Sequence, residues 1–494
     1  MIELFFQSLG IILVPKYLLV MFACVFMGVI FGILPGLGGM TYLAIIIPFT
    51  FEMHPLMAIV VLLAGHSVTH TSGGITSILL NVPGTSVNAP TLLDGYPMAQ
   101  QGHAGRAIGN AVTASSVGGV FGAIILLLFI PILRPLVMYM GSPELFLLCV
   151  LGITFIATLS SEFIIKGMIA ACLGLIFSLI GIDVVTGASR ITFGSMYLTE
   201  GFKMVPALLG MFALPEILKM MVKGQTVATV NAIQTGTSDT WQGIKDVFVH
   251  WWLLLRASAI GVFVGIVPGI GSEVAVWVCY AHAKQTSKHP ELFGHGAVEG
   301  IIAPESANNS KEGGGLIPTL GFGIPGSAGM AVLMGGLLII GIVPGPRFLN
   351  EHLDLCFSMV IILVTSNIMA AILCLLAARH LAKVAFIPSR ILAPVILGVL
   401  VLGTYVYRTN IYDITALLFF GVIGYLMARF NFPRPPFILA FILANLAENY
   451  LHLALKTVGP MFYKRPASLI LFCFLVFAFV YPVIKNIYAK RKRT

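Results

Sequence analysis

Apolar runs of spanning length recur along almost the whole chain, near residues 17–34, 107–133, 143–160, 163–182, 201–222, 248–267, 354–378, 391–407, 412–428, 436–455 and 467–484. A helix needs roughly 17 to 25 predominantly apolar residues to cross the hydrocarbon core of a bilayer. Shorter or interrupted apolar pieces lie near 40–63, 74–82, 273–282, 316–324 and 328–343. The pattern predicts an all-α polytopic membrane protein with about 11–12 transmembrane helices and several half-length pieces.

One polar stretch interrupts this pattern sharply. Residues 303–327, APESANNSKEGGGLIPTLGFGIPGS, carry three consecutive glycines (Gly313, Gly314, Gly315), the Asn308-Asn309 pair and the turn Pro325-Gly326-Ser327. Backbone groups freed by such residues cannot be satisfied by lipid, so the reading is a broken hairpin buried in protein or lining a watery cavity rather than a plain spanning helix. A weaker copy runs from Gly73 through Asn81, Pro83, Gly84, Thr85 and Ser86, at an offset of 242 (325 − 83). Residues 28–38, GVIFGILPGLG, and 261–271, GVFVGIVPGIG, agree at seven of eleven positions at an offset of 233.

These repeats divide the chain into a first transmembrane half (1–222), a polar linker (223–246) and a second half with additional C-terminal helices (247–494). Paired Gly/Pro interruptions at corresponding positions of two halves point to the midplane site of a secondary transporter. The candidate substrate-binding residues are Asn81, Pro83, Gly84, Thr85 and Ser86 in one tip, and Asn308, Asn309, Pro325, Gly326 and Ser327 in the other. A helix restarting after Pro-Gly presents free N–H groups and a positive dipole end to an anion.

Composition agrees with a membrane protein: the 494 residues are 58% hydrophobic and only 10% charged, against about a quarter charged in soluble domains. The net charge of +9 is scattered in loops, and its one run, Lys490-Arg491-Lys492-Arg493, reads as a cytoplasmic anchor rather than a nucleic-acid site. Seven cysteines sit singly in apolar runs, as small core residues rather than disulfides or metal ligands. The first fifteen residues read as an interfacial lead-in and not a signal peptide.

Charged groups inside apolar sequence are candidates for function. His66 and His70, four residues apart, and Glu305, Lys311 and Glu312 form a candidate proton relay or internal ion pairing. A sodium site is read near Gly36, Gly38, Gly269 and Gly271, where broken-helix carbonyls would supply oxygen; no other metal and no cofactor is expected. Sodium is the favoured coupling ion, with the proton as the alternative. Gly321 to Gly326 matches G-x-G-x-x-G, but a proline stands inside it and no strand precedes it, which excludes a dinucleotide site. Asp94-Gly95-Tyr96-Pro97 and the following residues to Arg106 read as a polar surface loop. HExxH and Walker patterns are missing from the sequence, so an intramembrane enzyme ranks behind a transporter and a passive anion channel.

Taken in order, GILPGLG (32–38), GGITSILLNVPGTS (73–86), DGYPMAQQGHAGRAIG (94–109), GIVPGIG (265–271), residues 287–314 and residues 317–346 resemble the large membrane subunit of the tripartite tricarboxylate transporters, the TctA family. The resemblance implies ion-gradient-driven uptake of carboxylates across a bacterial inner membrane. Its implied partners are a small four-span membrane subunit and a periplasmic solute-binding protein. His70, Thr71 and Ser72, and Ser310, Lys311 and Glu312, depart from the family pattern.

Overall fold

The computed structural model describes residues 1–159, 164–183, 186–223, 239–268, 272–387 and 389–477. Most of the linker, Gly269 and Gly271, and the basic run Lys490–Arg493 lie outside the described residues. The chain is an all-α polytopic membrane protein: among the described residues eight helices are long and apolar enough to cross a membrane. Thr240–Val249 and Trp251–Ile266, bent by 77° at a short break, would together make a ninth.

Five helices of the first part matter for the site: α1 (Pro15–Ile33), α2 (Gly39–Ile46), α3 (Pro55–Leu80), α4 (Ala89–Met98) and α5 (Ala104–Met138). Five of the second part answer them: α6 (Trp251–Ile266), α7 (Ser272–Thr286), α8 (Val298–Phe322), α9 (Ala328–Ile339) and α10 (Leu353–Ala382). The apolar run read at 40–63 is therefore two helices, because Pro48 and Pro55 interrupt it.

The polar stretch 303–327 is not a broken hairpin over its length. Residues up to Phe322 belong to the 25-residue helix α8, and every side chain from Gly300 to Gly321 is buried. The break is confined to 323–327, because α8 is enclosed by other helices, so its polar side chains find protein partners while its backbone stays helical. Its glycines are approach surfaces rather than breaks. A Cβ on Gly313 would overlap Gly122 of α5, and one on Gly314 would overlap the carbonyl of Val262 on α6. Gly118 and Gly122 of α5 lie as tightly on the carbonyls of Ser306 and Ser310. Small residues let membrane helices pack at this distance.

Helix α3 is the counterpart, with 94% of its apolar window buried. Against it α1 repeats the same seam: Gly28 meets the Gly65 carbonyl and Gly32 that of Thr69, while Gly261 meets Ala307 and Gly265 the Lys311 carbonyl. Helices α3 and α8 also end alike. Asn81 (φ 55) and Gly323 (φ 69) cap them in the left-handed region, a proline follows two residues later, and a helix then restarts. Ser327 caps the restart of α9, its Oγ accepting from the Met330 N–H at 3.2 Å.

Candidate functional site

The two breaks are seated by matching contacts. A Cβ on Gly84 would overlap the Gly32 carbonyl and lie 2.6 Å from Gly73 Cα; a Cβ on Gly326 would overlap the Gly265 carbonyl and lie 2.7 Å from Gly315 Cα. Under the offsets of 233 and 242 these are the same three positions. In the first tip Gly84 and Thr85 are buried, Pro83 is half-buried, and Asn81 and Ser86 are exposed. In the second Pro325 and Gly326 are buried and Ser327 half-buried. Gly38, at the start of α2, packs against Thr85, whereas Gly36 (φ 88) is exposed.

Between the tips lies a buried polar cluster built by α3 and α8. Lys311 Nζ donates to Glu312 Oε1 at 2.6 Å and faces His70 Nε2 at 3.5 Å. Glu312 also approaches His66, with Oε2 3.4 Å from Nε2, and His70, with Oε1 3.5 Å from Nε2. The His66 ring is held between the starts of two short helices: a Cβ on Gly39 would overlap its Nδ1, and one on Gly329 would lie 2.8 Å from its Cε1. On the other side His70 Nδ1 lies 3.2 Å from Thr85 Oγ1, whose hydroxyl donates to Asn88 Oδ1 at 2.5 Å. That order assigns a proton to Nδ1 and leaves the Nε2 lone pair to Lys311.

From Asn88 the network continues to Glu305. Its Oε1 accepts from Asn88 Nδ2 at 3.0 Å and Thr91 Oγ1 at 2.5 Å, and its Oε2 accepts from Asn308 Nδ2 at 3.1 Å. Gly74 makes room, since a Cβ there would stand 2.9 Å from Oε1. The neighbouring amide has a different place. Asn309 Nδ2 donates to Thr71 Oγ1 and to Asn367 Oδ1, both at 2.7 Å, and Thr71 Oγ1 lies 3.2 Å from Ser115 Oγ, so one side chain ties α3, α5, α8 and α10 together.

The structure thus brings His66, His70, Thr85, Glu305, Asn308, Lys311 and Glu312 into one connected region, with Asn309 beside it. Asn88, Thr91, Asp94 and Asn367 have roles the sequence did not disclose. Asn88 and Thr91 were legible only as a polar i, i+3 pair beyond the first tip. Asp94, read as part of a surface loop, is fully buried in the middle of α4: Oδ1 accepts the N–H groups of Gly294, Gly296 and Ala297 at 2.8, 3.1 and 2.9 Å, and Oδ2 accepts from Tyr280 Oη at 2.9 Å. Its partners lie some two hundred residues away, where no spacing could reveal them. Among the described residues no group of three His, Cys, Asp or Glu side chains could hold a metal ion.

Long buried helices that break in pairs around an enclosed polar cluster mark a polytopic membrane protein. The chain belongs to the tripartite tricarboxylate transporter TctA family, matching it over residues 18–439. It is a component of a tripartite tricarboxylate transporter. Two relatives come from Agrobacterium vitis. One, described as an uncharacterized 52.8 kDa protein in the TAR-I ttuC' 3'region, is 32% identical over 495 residues, 97% of this chain and 96% of the relative. The other, an uncharacterized protein in the TAR-II ttuC' 3'region, is 34% identical over 195 residues, 40% of this chain and 81% of the relative. No solved structure matches.

Proposed function

We propose that the protein is the permease of an ion-gradient-driven importer that receives tricarboxylates or related carboxylates from a periplasmic solute-binding protein and works with a small four-span membrane subunit. The observation that carries this reading is the convergence of two equivalent helix breaks, Asn81–Ser86 and Gly323–Ser327, on one buried polar cluster. The first turns of the helices that begin at Gly39 and Ala328 lie against the His66 ring, and helix N-termini of this kind suit an anionic carboxylate. The matched contacts at Gly84 and Gly326 support an organisation in two homologous halves joined by the linker.

For the coupling ion we take the proton in preference to sodium. The central cluster is built from ionisable side chains, His66, His70, Glu305, Lys311 and Glu312, whereas Gly36, one of the glycines read as a sodium site, is exposed. Orientation in a bacterial inner membrane follows from charge. Lys166 donates to the Phe430 carbonyl at 2.7 Å and Arg434 Nη2 to Glu216 Oε1 at 2.9 Å. Lys166, Lys219, Arg429 and Arg434 therefore gather at one end, which the positive-inside rule makes cytoplasmic. The 434–457 helix leaves that end, and the last apolar run read from the sequence, 467–484, would return the chain to it, so the C-terminus is cytoplasmic in this reading.

Uptake of labelled citrate into cells expressing the permease with its two partners tests the function. Accumulation above the external concentration that collapses when the proton gradient is dissipated is the expected result. Downhill equilibration indifferent to any gradient would make the protein a channel, and dependence on sodium alone would overturn the choice of ion.

A further inference from the structure

Glu305 is a carboxylate in the wrong electrostatic company. Its side chain is fully buried, and the three groups that reach it (Asn88, Thr91 and Asn308) are neutral donors. Among the described residues no Lys, Arg or His pairs with it: the nearest cation on its own helix, Lys311, is turned to Glu312 and His70, and on α3 His66 and His70 both face Glu312. Asp94 on α4 is spent on backbone N–H groups and Tyr280. A buried carboxylate without a counter-charge is costly, whereas a protonated one asks only for an acceptor.

The acceptor is at hand and unused. Asn308 donates its amide to Glu305 Oε2, while its own carbonyl oxygen, Oδ1, is buried without a hydrogen-bond partner. The amide is two-faced, and half a turn about its last torsion exchanges the two ends. With a proton on Oε2, Glu305 donates to Oδ1 of the turned Asn308. The two N–H groups of Asn308 then occupy the side from which Oδ1 has moved.

We propose that Glu305 is a proton site whose loading turns the Asn308 amide and so presents N–H donors to an anionic carboxylate. Proton and anion then bind with mutual assistance, since whatever one ligand does for the other is returned in equal measure. The inference rests on the carboxylate-uptake reading for its biological use, but not for its first test.

That test is infrared difference spectroscopy of the purified full-length protein between about pH 5 and about pH 9. A protonated-carboxyl C=O band is expected to appear on acidification, to vanish in Glu305→Gln, to persist in Glu312→Gln and to move in frequency in Asn308→Ala. A band untouched by Glu305→Gln, one that answers to sodium at fixed pH, or one indifferent to Asn308→Ala overturns the proposal. The second test is citrate transport in proteoliposomes holding the complete system. In Glu305→Gln an imposed pH gradient should no longer accelerate citrate transport, and the apparent citrate affinity should no longer vary with pH. Retained acceleration overturns the proposal. Citrate inactivity of the wild type beside an intact Glu305 band condemns the uptake reading and leaves the proton site standing.

Discussion

His70 and Glu312 correspond under the internal repeat, since 312 − 70 = 242, and their side chains meet, with Nε2 3.5 Å from Oε1. Residues beside an axis relating two equivalent units would touch in this way. Lys311 completes the group, so the cluster holds a cation and an anion in contact before any substrate enters.

Lys311→Met therefore leaves Glu312, 3% exposed, without its cation. Breaking a buried pair from one side costs about 3–5 kcal/mol. Thermal unfolding of the detergent-solubilised protein should show a strongly lowered midpoint for Lys311→Met, largely recovered in the double mutant Lys311→Met/Glu312→Gln. A stable single mutant with weakened substrate affinity would instead assign Lys311 to the substrate.

Gly84→Leu and Gly326→Leu should fail by losing folded protein. From sequence alone the expected effect is blocked uptake with the protein retained in the membrane, but the added carbons would strike the backbone of Gly32 and Gly73, or of Gly265 and Gly315, which cannot turn aside. Even alanine overpacks these positions, at about 1–3 kcal/mol. A fluorescence size-exclusion profile of each variant reads the outcome, and a normal monodisperse peak for both would refute it.

The two adjacent asparagines should separate. Asn309→Ala strips partners from Thr71 and Asn367 at the junction of four helices, a loss of about 1–3 kcal/mol visible as a lower unfolding temperature. Asn308→Ala removes one bond to Glu305 and should alter citrate affinity with a smaller change in melting. Equal melting losses with equal transport would contradict the division.

Asp94→Ala unties the segment before α8, leaving three N–H groups without an acceptor at a cost of about 1–3 kcal/mol. Hydrogen exchange at residues 292–298 should accelerate markedly. Tyr280→Phe, which removes only the contact to Oδ2, should change it little.

What the sequence disclosed followed from periodicity and repetition. Apolar runs marked the helices, and Gly84 and Gly326 could be matched because a left-handed cap followed by Pro-Gly has few residue choices. Gly313 to Gly315 misled, because glycine that breaks a helix and glycine that lets two helices touch look alike until the partner is known; here the partners are Gly122 and Val262. Asn308 and Asn309 could not be told apart for a related reason. Neighbours on a helix point about 100° apart, so one reaches Glu305 and the other Thr71 and Asn367.

The seam between α5 and α8 also sets a schedule. Gly118 and Gly122 are shaped to receive Ser306, Ser310 and Gly313, yet 188 residues (306 − 118) separate Gly118 from Ser306 along the chain. At a synthesis rate of about 5–20 residues per second, α5 waits roughly 10 to 40 s for its mate. During biogenesis its glycine face must be covered by lipid, by another helix or by the insertion machinery, so the late-arriving α8 has to displace an occupant rather than fill a vacancy.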